Sequence, residues 1–369
     1  MILATMARRC AALLALLVPA AALAAGAGTA NLTWEEARAR SARVSGVDYV
    51  LHLALREKSP DYDGGTQVSF TLAPGGGAPL FLDFQGETVK SLAVNGAIVE
   101  VPRHEGHRLY LPEGLLKPGA NVVDVRYTNR YDNDGAGLHK VVDPADGHEY
   151  LYTQFEPFDA NRVFPCFDQP DLKASYSTHV QAPESWEVVT NGAETGRDPD
   201  GTRHFATTER FSTYIVAFAA GPYVVYEDEE ARLPSRILVT RSMAPYADPE
   251  DIFEVTRQGL DFFEDYFELD YPFGKYDQVF VPGFNWGAME NVGCVIFSDN
   301  AFLYRHEPTA AELGRRANVV LHEMAHMWFG DIVTMEWWND LWLNESFATY
   351  MANLAQARAT KYDDAWETF

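Results

Sequence analysis

Asn318-Val319-Val320-Leu321-His322-Glu323-Met324-Ala325-His326-Met327-Trp328-Phe329 carries apolar residues at helical spacing and contains no proline. On a helix, residues four apart lie one above the other, so His322 and His326 project from one face and can grip a single ion. Glu323 sits one step round, near enough to act on water beside that ion without being a ligand. Such a turn fits metal-assisted hydrolysis, although two surface histidines beside a glutamate would read the same way. The third ligand separates the subclasses. Positions 329 and 332 are Phe and Ile, where a metzincin needs Gly and His. Instead Trp342-Leu343-Asn344-Glu345-Ser346-Phe347-Ala348-Thr349-Tyr350 forms a second helical stretch, with Glu345 nineteen positions after His326. A turn around 330–338 and a returning helix bring Glu345 back to the histidines. His322, His326 and Glu345 with an open fourth position are the pattern of one catalytic zinc ion per chain. Such an ion polarises a carbonyl and acidifies water, and Glu323 is the matching general base.

Outward from this motif the chain divides by texture. From about Val47 to Tyr226 it reads as β, with alternation in Tyr49–Leu55, Gln67–Leu72 and Val122–Tyr127 and turn clusters at Gly75-Gly76-Gly77, Asn95-Gly96 and Asp200-Gly201. This is the pattern of an antiparallel all-β domain. Apolar residues then fall at helical spacing over Asp248–Phe267, strand-like stretches surround Val279–Val281 and Cys294–Phe297, and helices follow at about Ala310–Phe329 and Asp340–Ala359. The expected organisation is a β domain over 25–225 and an α+β domain over 226–369, packed together because no Pro- or Ser-rich linker divides them. Thr33 and Glu36 fit a capping box before the first strand.

The 369 residues carry 29 Lys+Arg against 53 Asp+Glu, a net charge of −24. A nucleic-acid binder needs a basic footprint, so that class is excluded, and anionic membranes are disfavoured. Arg8-Arg9, an apolar run from Cys10 to Val18, and Ala22-Leu23-Ala24 read as a secretory signal over 1–24, cleaved after Ala24, for a secreted or periplasmic protein with no membrane span afterwards. Two cysteines then remain, Cys166 and Cys294, too few to scaffold the fold, and their pairing is left open. Asp132-Asn133-Asp134-Gly135 with Asp143 faintly resembles a calcium loop, but Ala136 stands where a ligand belongs, which favours a polar turn. Asn31-Leu32-Thr33 and Asn344-Glu345-Ser346 are formal glycosylation sequons.

A second motif, Gly287-Ala288-Met289-Glu290-Asn291, precedes an apolar strand. Together with the zinc signature, and with Tyr152-Thr153-Gln154-Phe155-Glu156 and Phe164-Pro165-Cys166-Phe167-Asp168-Gln169-Pro170, it makes the chain resemble the gluzincin M1 aminopeptidases, the aminopeptidase N group. The resemblance spans nearly the whole mature chain. It implies a saddle-like β domain covering a thermolysin-like catalytic domain, here incomplete at its C-terminal side. It implies that Glu290, aided by Glu156 and Gln154, binds the free α-amine of a peptide. Gly287 and Ala288 would offer backbone to the extended substrate, and Met289 would line the first side-chain pocket, where a flexible thioether suits broad specificity.

One departure stands out. The family uses a downstream tyrosine to stabilise the tetrahedral oxyanion, and Tyr350 and Tyr362 lie too near Glu345 to be it. The leading reading is a secreted zinc metallo-aminopeptidase acting on peptides with a free N-terminus. A zinc- or peptide-binding product with little turnover, and a thermolysin-like endopeptidase, are the alternatives. Side-chain preference and oligomeric state are not legible.

Overall fold

The computed structural model describes residues 31–368. The segment 1–24, expected from the sequence to be a signal, lies outside them. Helix α1 (Trp34–Ser41) opens with the expected capping box, Thr33 accepting from the Glu36 N–H and Glu36 from the Thr33 N–H. Its buried Arg40 lies 2.7 Å from the Asp83 carboxylate, anchoring the helix to the β region.

An eight-stranded sheet follows, in the spatial order Glu194–Arg197, Arg203–Phe205, Ala174–Gln181, Val44–Ala54, Asp61–Leu72, Gly119–Arg130, Thr88–Val94, Ala97–Ile98. Alternate residues of Val44–Ala54 and Asp61–Leu72 are buried, as the hydrophobic alternation requires. The sheet is antiparallel except at its centre, where Val44–Ala54 and Ala174–Gln181 run parallel. This departs from the wholly antiparallel expectation: a long crossover lets distant segments pair in either direction, which alternation alone does not encode. A four-stranded antiparallel sheet (Glu187–Thr190, Phe218–Gly221, Glu149–Gln154, Gly137–Val142) and a three-stranded one complete the β region.

The second half is built on a five-stranded mixed sheet: Val224–Glu227, Arg236–Val239, Asp277–Val281, Cys294–Ser298, Ala288–Met289. Its helices are α2 (Pro249–Phe267), α3 (Asp299–Phe302), α4 (Ala310–His326) and α5 (Leu341–Ala359). One hydrophobic core runs through both halves. Polar ties cross between them: Tyr152 donates to the Gly283 carbonyl at 3.1 Å, Asn191 to Val292 at 2.8 Å and Asn291 to Ile215 at 3.2 Å.

Cys166 and Cys294 are both free and buried. The Asp132–Gly135 segment is a polar turn, with Asp132 and Asp134 both ion-paired to Arg162. Asn344 is 5% exposed and directs its amide at the Met335 sulfur, so this sequon is shielded in the folded chain. Along α5, Trp342, Leu343, Phe347 and Tyr350 stay exposed, an uncovered apolar stripe beside Glu345. Among the described residues no helix is long and apolar enough to cross a membrane.

Candidate metal centre and peptide site

Helix α4 starts at a second capping box, Thr309 with Glu312, and its apolar face meets α2 closely. A Cβ on Gly259 of α2 would lie 2.5 Å from the Leu321 side chain and 2.7 Å from the Met324 sulfur, so glycine permits this approach. Buried Arg316 fixes the helix further, reaching Asp248 at 2.7 Å and Asp251 at 2.8 Å near the N-terminus of α2. The motif turn at the far end of α4 is thus held by packing and charge together.

The expected ligands meet there. His322 Nε2 and His326 Nε2 are 3.0 Å apart. Glu345, returned by α5, places Oε2 3.4 Å from His322 Nε2 and Oε1 3.7 Å from His326 Nε2. His326 Nδ1 sits 3.0 Å from the Phe329 carbonyl, which holds the ring hydrogen on Nδ1 and turns the Nε2 lone pair toward Glu345 and His322. Two facing imidazole nitrogens and a carboxylate oxygen suit zinc, so the residues present fit the ion that the sequence implies. Helix α4 ends at His326 rather than Phe329, because Gly330 begins the turn that carries the chain toward α5.

Glu323 is 5% exposed and shares its neighbourhood with Glu290 and His326. Burial, reinforced by the charges of Glu290, Glu345 and Glu156, pushes its carboxyl well above the usual range against the pull of His326. Burial also favours a neutral His326, but Glu290, Glu345 and Glu323 overcome it and raise the imidazole. Glu345 moves the other way: burial raises it, but the nearness of His322 and His326 outweighs this and holds it far below the carboxylate norm.

Beside the metal ligands lies an acid cluster. Glu156, Glu290 and Glu345 each bring an oxygen within 4.8 Å of the others. Gln154 and Glu290 are 1% and 2% exposed, and one oxygen each of Gln154, Glu156 and Glu290 is buried without a hydrogen-bond partner among the described residues. Burial, then Glu290 and Glu345, pushes Glu156 up to about 8. Unsatisfied acceptors in an enclosed acidic wall are costly unless a cation donates to them. Gln154 ends a strand of the β region and Glu156 lies in the turn just after it, whereas Glu290 follows Ala288–Met289 in the second half, so the site lies between the halves. Gly287 adopts φ +89°, and its carbonyl accepts from the Ser298 N–H at 2.6 Å. Ala288 is partly exposed, while Met289 is 1% exposed within the core.

Two neighbours were not foreseen. Tyr214 is fully buried, its hydroxyl without a hydrogen-bond partner among the described residues, and Glu290, Asp331, Glu156 and Glu345 all bear on it electrostatically. Asp331 is 1% exposed, both carboxylate oxygens without a hydrogen-bond partner among the described residues, while Lys173 of the β region donates to its backbone carbonyl at 2.8 Å. An acid in the turn after the motif helix was a usable signal for Asp331. Nothing near Tyr214 in sequence marked it. Tyr350 is exposed against Trp366, and Tyr362 donates to Asp251 at 2.6 Å.

Residues 80–215 match the Peptidase M1 N-terminal domain, and residues 252–369 match the Peptidase family M1 domain. Over 348 residues the chain is 46% identical to aminopeptidase N of Streptomyces lividans, covering 92% of this chain and 40% of that protein. It is 38% identical over 235 residues to a probable aminopeptidase 1 of Sulfurisphaera tokodaii, covering 62% and 29%. It is 31% identical over 327 residues to a glutamyl aminopeptidase of Bitis rhinoceros, covering 82% and 33%. The chain therefore spans two fifths or less of the length of these relatives.

Proposed function

Because this chain belongs to peptidase family M1, we propose that it carries the machinery of a zinc aminopeptidase, which removes residues from the free N-terminus of peptides. The observation that carries the proposal is the set of orphaned buried acceptors on Gln154, Glu156 and Glu290 beside the His322, His326 and Glu345 donor set. The acceptors suit an α-ammonium and leave a blocked amide nitrogen underpaired. That fixes which peptide bond reaches Glu323.

Zinc, when bound by His322, His326 and Glu345, supplies a Lewis acid for the scissile carbonyl and lowers the pKa of a bound water toward ~7. Glu323, whose burial raises its affinity for a proton, would take the proton of the attacking water on its carboxylate and return it to the departing amine nitrogen. Gly287 and Ala288 give the substrate backbone a close approach, whereas Met289, 1% exposed within the core, does not open onto a side-chain pocket. An exported location, from the signal at 1–24, belongs to the same proposal.

A second reading rests on Tyr350 and Tyr362. With the exposed ring of Tyr350 against Trp366 and the Tyr362 hydroxyl on Asp251, neither is taken as the oxyanion donor, and losing one such donor typically costs roughly 10²–10³ in turnover. On that reading the 369-residue chain binds zinc and peptide with little turnover. Mass spectrometry of a short free peptide after incubation with the zinc-loaded chain tests the proposal. Stepwise shortening from the N-terminus is expected, internal cuts support a thermolysin-like endopeptidase, and an intact peptide supports binding alone.

A further inference from the structure

On the β region, far along the sequence from His322, the sheet register assembles three histidines. The strands Val44–Ala54, Ala174–Gln181 and Arg203–Phe205 are neighbours, with His52 opposite His179 and His179 opposite His204. Opposed residues project from the same face. The rings of His52 and His179 stack with centroids 4.7 Å apart and planes 25° from parallel. His179 then meets His204 edge to face, bringing the two Nδ1 atoms to 2.7 Å. On the far side of the ring, His204 Nε2 lies 2.9 Å from the Asp198 carboxylate.

The chemistry of the row is that of a ligand set. Asp198 draws the His204 hydrogen to Nε2 and leaves Nδ1 with its lone pair, the carboxylate-histidine arrangement that commonly backs a metal-bound imidazole. His52, stacked on the other face of His179, fixes the plane of that ring. All three rings are partly exposed, so ions can reach them. Burial, with His179, Arg126 and His204 adding repulsion, holds His52 down to about 4, and burial with His204 lowers His179, so both of these rings favour the neutral form that ligates metals.

We propose that His179 and His204, backed by Asp198, form a second divalent transition-metal site, taking ions of the imidazole-favoured class such as Zn2+ and Cu2+. His179 moves its hydrogen from Nδ1 to Nε2, both Nδ1 lone pairs face the ion, and water fills the remaining positions. Zn–N bonds of about 2.0–2.1 Å in tetrahedral geometry set the two nitrogens roughly 3.3 Å apart. The rings therefore separate by a few tenths of an ångström on binding, which the three-residue strand Arg203–Phe205, next to the sheet edge, can absorb. The bound ion would pin the Glu194–Phe205 edge hairpin to the strand Ala174–Gln181.

Zinc stoichiometry after equilibrium dialysis of the full chain tests this. Two ions per chain are expected for the natural sequence, one for His179→Asn or His204→Asn, and one for His326→Asn, which loses the other ion. Asp198 is exposed, so Asp198→Asn leaves the fold intact and should weaken the second ion by about 10–100-fold. A single ion that His326→Asn abolishes, two ions retained in both His179→Asn and His204→Asn, or unchanged second-ion affinity in Asp198→Asn would each overturn the proposal.

Discussion

Glu290 Oε1 lies 3.8 Å from His326 Nδ1, with both side chains almost wholly buried. The carboxylate proposed for the substrate amine is therefore a direct neighbour of a proposed metal ligand, and the ammonium it would hold is anchored at a fixed distance from the reacting carbonyl. Exchanging its charge for an amide tests that coupling. Glu290→Gln should lower kcat/KM for free-amine substrates by about 10–100-fold, the loss of one charged hydrogen bond worth about 1.5–3 kcal/mol. Steady-state kinetics on free and blocked substrates would show the loss confined to the free amine. An unchanged preference would remove Glu290 from amine binding.

Glu323 touches the site but is not among the three convergent donors. Glu323→Gln should keep one zinc ion on His322, His326 and Glu345 while hydrolysis falls to background. Glu345→Ala should lose that ion, because two imidazoles alone hold it weakly. Metal analysis beside activity separates the two roles, and full metal content in Glu345→Ala would show the ligand assignment to be wrong.

Arg316 joins α4 to the start of α2 through Asp248 and Asp251 with its side chain 2% exposed. Arg316→Ala leaves the buried Asp251 short of its partner, although Lys361 also reaches it at 2.7 Å. A destabilisation of about 3–5 kcal/mol is expected from chemical denaturation, since a buried charge loses compensation. A change below 1 kcal/mol would mean that Lys361 suffices.

The β region should carry its own acid sensitivity. Burial, then His179, Arg126 and His204, depresses His52 from 6.5 to about 4, and Asp63 and Lys90 line the same groove. A depressed folded-state value means that the unfolded chain takes up the proton first, so stability is full above 6.5 and declines as pH falls toward 4. His52→Asn should flatten this decline in thermal unfolding between pH 7 and 4. An unaltered slope would place the acid sensitivity elsewhere.

Much of this architecture is readable from residues alone, for identifiable reasons. Helix α4 carries periodic apolar residues and two histidines four apart, and α5 brings Glu345 nineteen positions after His326, all local signals. Alternation likewise marks Val44–Ala54, Asp61–Leu72 and Gly119–Arg130. What escapes is non-local. The parallel pairing of Val44–Ala54 with Ala174–Gln181 depends on a crossover, and the histidine row exists only once that register is set. Tyr214 reaches the acid cluster from a short turn in the β region, and the Arg40 pairing with Asp83 joins a helix to a distant strand. Such contacts follow from tertiary packing, and no sequence window contains both partners.

The account stands most directly on a ratio. Zinc-loaded chain should be assayed on an aminoacyl chromogenic amide and on its N-acetylated counterpart under the same conditions. Hydrolysis of the free-amine substrate with little or none of the acetylated one is the predicted result, because the unpaired oxygens of Gln154, Glu156 and Glu290 require an ammonium. Equal rates on the two would contradict the assignment of that acidic wall as an amine site, and with it the exopeptidase reading.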